Sequence, residues 1–280
     1  MSAIVAVSQP LPHAQNLHSY GQRPVGELLR QWRERRRLSQ LSLALDAEIS
    51  TRHLSFVETG RSAPSREMVL RLAEQLEVPL RERNALLLAA GYAPVYSQSA
   101  LDDAAMSAIR AAIRQLLTAH EPYPAVVIDR AWNLVDANAS IAMFTDGLPP
   151  ELLAPPVNVL RVSLHPAGLA PRIVNLGEWR AHLFSRLRRQ IALTADPTLS
   201  DLYTELRAYP CDLPEPEVEL PGPGEVLVPL RVRHGTGELA FFTTVSTFGT
   251  PLDVTVSELA IEAFYPANAE TAAVLRGLSA

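Results

Sequence analysis

The sequence predicts a two-domain chain. An all-α block of five helices spans residues 21–96, and an α+β domain with a roughly five-stranded antiparallel sheet spans 121–280. Three observations predict it. The 280 residues are enough for two domains at roughly 100–200 residues each. Apolar residues recur at helical spacing in five short stretches, each bounded by cap or turn residues, as far as Gly91. Beyond Pro122 the pattern turns to strand-like runs mixed with helices. Residues 1–20 are expected to be a flexible tail, and 97–120 a linker and connecting helix.

The helices of the first block justify themselves in order. Val25, Leu28, Leu29 and Trp32 make one apolar stripe on a helix ending near Arg36. Ser39 caps the second helix, Gln40 to Ala47, where Leu41, Ala44 and Leu45 repeat at the same spacing. Ser50 caps the third, Thr51 to Thr59, with Leu54 and Val57 inward and Phe56 nearby, and Gly60 ends it. Ser65 caps the fourth, Arg66 to Leu76, whose inner face is Met68, Val69, Leu72 and Leu76. The fifth runs from Leu80 to Ala90, closed by Gly91. The second and third, joined by a tight turn, have the helix-turn-helix layout.

Charge is unevenly placed. All 25 basic residues are arginine. Residues 21–90 carry a balance of +3 and residues 91–280 one of −8, so the first block is the part suited to a polyanion. The run Arg33-Glu34-Arg35-Arg36-Arg37 describes a solvated helix face when taken alone, and gains meaning from the helix-turn-helix beside it.

This block resembles the repressor/Cro class of bacterial DNA-binding domains. The resemblance is carried by Leu38-Ser39-Gln40, Ala44, Ile49-Ser50, Leu54-Ser55, Glu58-Thr59-Gly60-Arg61 and Pro64. It implies that the N-terminal residues of the third helix enter the major groove. The expected DNA-contacting set is Gln40, Ser50, Thr51, Arg52, His53, Ser55 and Arg61. Arg52 suits a guanine edge, Thr51 and Ser55 a base or phosphate, and Gln40 and Arg61 a phosphate. The family usually has glycine at the turn, where φ is positive. This chain has Glu48, at a cost of ~1 kcal/mol. Two recognition helices in a homodimer, reading a palindromic operator on double-stranded DNA, are the expectation.

In the second domain, Leu101 to His120 reads as a long helix, equally able to pack on the sheet or form a dimer seam. Ala125–Asp129 and Trp132–Asn138 read as strands, followed by a short helix from Ala139 to Phe144. The middle, 148–200, is helical and proline-punctuated, with one amphipathic helix over Glu178–Gln190. Five prolines within 210–224 mark a surface excursion. Glu225–Val232, Gly237–Phe248 and Leu252–Val256 read as the remaining strands, the last leading into Glu258–Phe264. The total is a PAS-like α+β sheet with helices on one side.

Longer motifs carry a closer resemblance. His165-Pro166 with Gly168-Leu169, Asn175, Glu178-Trp179-Arg180-Ala181-His182-Leu183, Phe241–Thr244, Thr247–Thr255 and Glu258–Glu262 are similar to MmyB-like transcription regulators. Those pair the DNA-binding domain with a PAS-like ligand-binding domain. The resemblance implies a small hydrophobic ligand, of fatty-acid type, that modulates DNA binding. The alternative is a second domain serving only dimerisation or partner recruitment.

The aromatics Trp132, Phe144, Trp179, Phe184 and Phe242 are candidates to line an apolar site. Asn138, Arg172, Asn175, Arg180 and His182 are candidates for an anionic head group. The same aromatics also serve as ordinary core. No Cys/His cluster suggests a metal site, and the lone Cys211 permits no internal disulfide. Nucleophile-elbow, phosphate-loop and dinucleotide fingerprints are missing, so neither an enzyme nor a cofactor is expected. No apolar run reaches membrane-spanning length, and no basic residue precedes Ile4-Val5-Ala6-Val7 as a secretory signal requires, so the expected location is the cytoplasm.

Overall fold

A computed structural model of the chain describes residues 23–194, 196–216 and 227–278. The expected tail, Pro221, Pro223 and the start of the expected strand at 225–232 lie outside the described residues. Among the described residues, those up to Ala100 form one unit together with Thr250–Ser257. Leu101–Gly249 and the residues from Glu258 onward form the other.

The N-terminal unit contains α1 (Val25–Arg35), α2 (Gln40–Asp46), α3 (Thr51–Glu58), α4 (Arg66–Gln75) and α5 (Leu80–Ala89). The three serines cap as the sequence predicts. Ser39, Ser50 and Ser65 accept the backbone N–H of Ser42, His53 and Met68, each cap contributing roughly 0.5–2 kcal/mol. Gly60 and Gly91 adopt positive φ, +73° and +83°, where a Cβ would be strained. Leu29, Leu43, Leu54, Val69, Leu72 and Leu76 form the closed core.

One face is corrected. Leu41 and Leu45 of α2 are exposed, whereas Leu43 and Ala44 are buried. Leucines at 41, 43 and 45 offer two possible stripes to a seven-residue helix, and packing against α3 and α4 selects one.

Two long-range devices hold α3. Gly26 lies so close to its C-terminus that a Cβ there would stand 2.1 Å from the Val57 carbonyl oxygen. Arg33 of α1 donates from Nε and Nη2 to both carboxylate oxygens of Glu58, at 2.7 and 2.9 Å, and from Nη1 to the Leu38 carbonyl at 2.9 Å. Gln40 of α2 donates to the same carboxylate at 2.8 Å.

The C-terminal unit holds α6 (Ser107–His120), β1 (Ala125–Ile128), β2 (Leu134–Ala137), α7 (Ala142–Thr145), α8 (Val159–Leu164), α9 (Leu176–Thr194), α10 (Pro197–Arg207), β3 (Leu230–His234) and β4 (Gly237–Thr247). The turn α11 (Val254–Ser257) belongs to the N-terminal unit, and the chain then returns for β5 (Ala260–Pro266) and α12 (Ala269–Leu278). The five strands pair antiparallel in the order β2-β1-β5-β4-β3. One face carries Val126, Ile128, Val232, Phe241 and Phe264, packed in one apolar cluster with Trp179, Leu183 and Leu187 of α9 and Leu199, Leu202 and Leu206 of α10. Ala125 and Val127, on the other face, join Ile113 and Leu117 of α6. No helix among the described residues is long and apolar enough to cross a membrane.

The last strand is a second correction. Residues 252–256 are not a strand; they lead into the one-turn helix α11. Residues 260–266, to which the sequence reading assigns no strand, form β5. Asp253 decides the first. Its Oδ1 accepts the Thr255 N–H at 2.8 Å, and its Oδ2 accepts from the Ser97 and Ser99 hydroxyls and the Ser99 N–H. Val254 and Val256 are buried there. For 260–266, pairing on both sides with β1 and β4 makes the strand, and Ile261, Phe264 and Tyr265 suit it. The connecting helix also begins later than expected, at Ser107, after a 3₁₀ turn at Ala104–Met106.

Ion pairs tie the helices of the C-terminal unit. Arg161 of α8 meets Glu205 of α10 bidentately at 2.8 and 2.7 Å, and Tyr209 donates to the same carboxylate at 2.7 Å. The Arg161 hydrogen bond first, then that of Tyr209, outweighs burial and holds the Glu205 carboxyl below its usual 4.5. Burial pushes the Asp196 carboxyl up, but the Arg130 guanidinium and the Thr198 amide together pull it below its usual 3.8.

Two outcomes are expected. Glu58→Ala leaves the buried Arg33 guanidinium without its partner and costs the N-terminal unit about 3–5 kcal/mol by denaturant titration; a loss under ~1 kcal/mol contradicts the anchoring role. Glu205 and Asp196 are both depressed carboxylates. Their stabilisation is therefore complete above their ordinary pKa values and disappears as the pH falls through the depressed ones. Melting temperature measured from about pH 5 downward should fall less steeply in Glu205→Gln than in the parent chain.

Candidate functional site

Helix α3 is eight residues long and begins at the Ser50 cap. Leu54 and Val57 lie in the core, which leaves Thr51, Arg52, Ser55 and Phe56 on the open side, Arg52 fully exposed and the others partly so. The Arg52 guanidinium rests 5.3 Å from the centre of the Phe56 ring. Arg61, exposed in the loop after the helix, lies 5.9 Å from the same ring. The structure thus brings Thr51, Arg52, Ser55 and Arg61 to one surface.

The other expected contacts are held differently. The Ser50 hydroxyl is engaged as the cap at 3.1 Å. The Gln40 side-chain amide faces Glu58. His53 turns Nε2 into the protein, where it is buried and has no hydrogen-bond partner among the described residues. Glu48 adopts φ +54°, the left-handed conformation expected at a position where glycine is usual. Sequence reasoning left Phe56 near the inner face; its position one turn after Arg52 was the available signal.

In the C-terminal unit the predicted aromatics separate into groups. Phe144 packs edge-on against Phe241 and Phe264, with ring centres 5.4 and 5.2 Å away. Phe184 lies edge-on to Tyr203 at 5.5 Å. Trp179 stacks on His182 at 5.5 Å and donates its indole N–H to Ser163 at 3.0 Å. Trp132, at φ +66°, donates to Gln190 at 2.8 Å beneath the Arg186 guanidinium. Phe242 stands apart, because strand alternation turns it away from Phe241. It stacks on Tyr265 at 5.2 Å.

The polar candidates also differ. Asn138 is a buried tie: its carbonyl accepts the Ala125 N–H, and its amide donates to the Leu117 and Tyr123 carbonyls. Asn175 accepts the Arg231 N–H and donates to Glu178 and the Pro229 carbonyl. Arg172 donates to the Met143 carbonyl at 2.7 Å.

Arg180 is different. It is 2% exposed, its Nε donates to Glu215 at 2.8 Å, and its buried Nη1 has no acceptor among the described residues. Glu215 is shared, because Arg207 donates to its other oxygen at 2.9 Å. Both guanidiniums flank the Phe184 ring, at 5.1 and 5.5 Å. Among the described residues, one carboxylate thus serves two guanidiniums beside an apolar core. The segment carrying Glu215 lies tight on α9: a Cβ on Gly177 would stand 2.0 Å from the Pro214 carbonyl oxygen. The sequence ranks Arg180 with the other polar candidates; only burial distinguishes it.

Known families match both regions of the chain. A helix-turn-helix family model matches residues 29–83. The MmyB-like transcription regulator ligand binding domain matches residues 109–278. No curated protein sequence matches the chain. The chain belongs to the MmyB-like transcription regulators, DNA-binding regulators in which a helix-turn-helix region is followed by a ligand-binding domain.

Proposed function

We propose that α3 reads operator DNA with Thr51, Arg52 and Ser55, Arg61 holding a phosphate. The exposed Arg52 guanidinium at the open face of a capped, core-anchored helix supports this reading. A guanidinium so placed suits the paired acceptors of a guanine edge. The protein acts as a homodimer on a palindromic operator, its two recognition helices meeting half-sites about 34 Å apart.

The ligand, on this reading, is a long apolar molecule with an anionic end, of fatty-acid type. The observation that carries it is Arg180: a buried guanidinium that, among the described residues, has an N–H without an acceptor and shares its carboxylate partner Glu215 with Arg207. A carboxylate supplies the missing acceptor. The surrounding Phe184, Tyr203 and Leu206 suit a chain of methylenes. The strand order, with β1 and β4 flanking β5, accords with a PAS-like sheet. Ligand modulates DNA binding by preferring one conformation of the protein over another. The route is covalent: the sheet's own β4–β5 connection folds as part of the N-terminal unit.

Two measurements test these readings. Arg52→Ala is expected to weaken binding to a selected operator by about 1–3 kcal/mol in a mobility-shift titration; undiminished affinity removes α3 as the reader. Native mass spectrometry of gently purified protein should find a bound acid. Affinity for acids of increasing length should rise by about 0.8 kcal/mol per methylene, and Arg180→Met should abolish the preference for an acid over the matching alcohol. A chain that carries no small molecule, and whose DNA affinity ignores every acid tried, has a second domain that only dimerises or recruits.

A further inference from the structure

Phe56 does not behave as a core residue. Leu54 and Val57 belong to the apolar cluster of the N-terminal unit, and Phe56 does not. Its ring is partly exposed on the same side of α3 as Arg52, four residues earlier. Two guanidiniums lie against it, Arg52 at 5.3 Å and Arg61 at 5.9 Å. Its backbone is equally committed: the Phe56 carbonyl accepts the N–H of Arg61 at 2.8 Å and of Ser62 at 3.1 Å, which holds the loop beside the ring.

We infer that Phe56 is a specificity-determining residue that reads the 5-methyl group of a thymine beside the base met by Arg52. The inference rests on the reading of α3 as the recognition helix. Position i+4 displaces the ring by about one helical turn, ~5.4 Å, on the same face. That distance is one to two base steps along the groove. A benzyl side chain has no hydrogen-bonding group, so it cannot read the donors and acceptors of a base edge. The thymine methyl is the apolar feature of the major groove that it fits. The flanking arginines sharpen the effect. The ring face holds Arg52 by a cation–π contact without occupying the N–H groups that point to a base, so a hydrogen-bonding probe and an apolar probe are presented together. A ring that served only as a shelf for arginines would assist binding irrespective of the methyl group.

Deletion of that methyl separates the two roles. Operators are selected from random duplexes with the full chain, and each thymine of the selected sequence is replaced in turn by deoxyuridine, which lacks only the methyl. One thymine, within two base pairs of the position at which Arg52→Ala relaxes base preference, is expected to lose about fourfold in affinity on replacement, the value of one buried methyl. Phe56→Ala should bind the thymine and uracil operators equally, whereas Phe56→Leu, still apolar, should keep part of the difference. Indifference of the parent chain to every single replacement, a result that needs no variant, overturns the inference. So does a Phe56→Ala protein that still distinguishes the two operators. If Arg52→Ala relaxes a base preference while no methyl matters, the recognition-helix reading stands and the Phe56 reading falls; a selection that enriches no sequence takes down both.

Discussion

The N-terminal unit depends on a carboxylate that is 2% exposed. Glu58 ends α3, the proposed reader of DNA, and it collects Arg33 from α1 and Gln40 from α2. An eight-residue helix is too short to persist alone. Its direction must come from its neighbours, and Leu54 and Val57 supply apolar contact without fixing rotation. The bidentate Arg33–Glu58 pair is directional, and the Gly26 contact lets α1 approach closely enough to form it. A buried ion pair is not strong evidence of stability as such; what it contributes here is one orientation for the open face of α3.

The buried arginine of the ligand-binding domain makes an instructive contrast. All three donor nitrogens of Arg33 find acceptors, two on Glu58 and one on a carbonyl. Arg186 likewise meets the buried Glu262 of β5 at 2.7 Å. Among the described residues, Arg180 has a bond to a shared carboxylate and an Nη1 without an acceptor. Burying a guanidinium only partly satisfied is costly. A fold that keeps one beside Phe184 retains capacity for an incoming acceptor, and this difference from Arg186 on the same helix, α9, is what the proposed ligand-binding role of Arg180 rests on.

Much of this was legible in the residues because much of it is local. Serine caps, the glycines after α3 and α5, and apolar spacing place the five helices of the N-terminal unit to within a residue or so. The strained turn at Glu48 was legible from the same pattern. The site was less so. Gln40 and His53 carry the right chemistry for DNA, yet one side chain faces Glu58 and the other buries its Nε2. Phe242 counts as aromatic like Phe241, yet the pleat puts the two on opposite faces.

By itself, then, the sequence determined what short-range chemistry can determine: where the N-terminal helices begin and end, and which block is basic. Tertiary structure decided the rest. Val254-Thr255-Val256 looks like a strand, and Asp253 with Ser97 and Ser99 makes it a helical turn in the other unit. Ala260–Pro266 follows without a strand of its own in the sequence reading, and pairing with β1 and β4 makes it one. It also decided which of the polar residues on α9 is buried short of a partner. The reason is range. A cap acts across three residues, whereas strand pairing, helix-face selection and desolvation of a charge depend on groups brought together only once the chain has closed on itself.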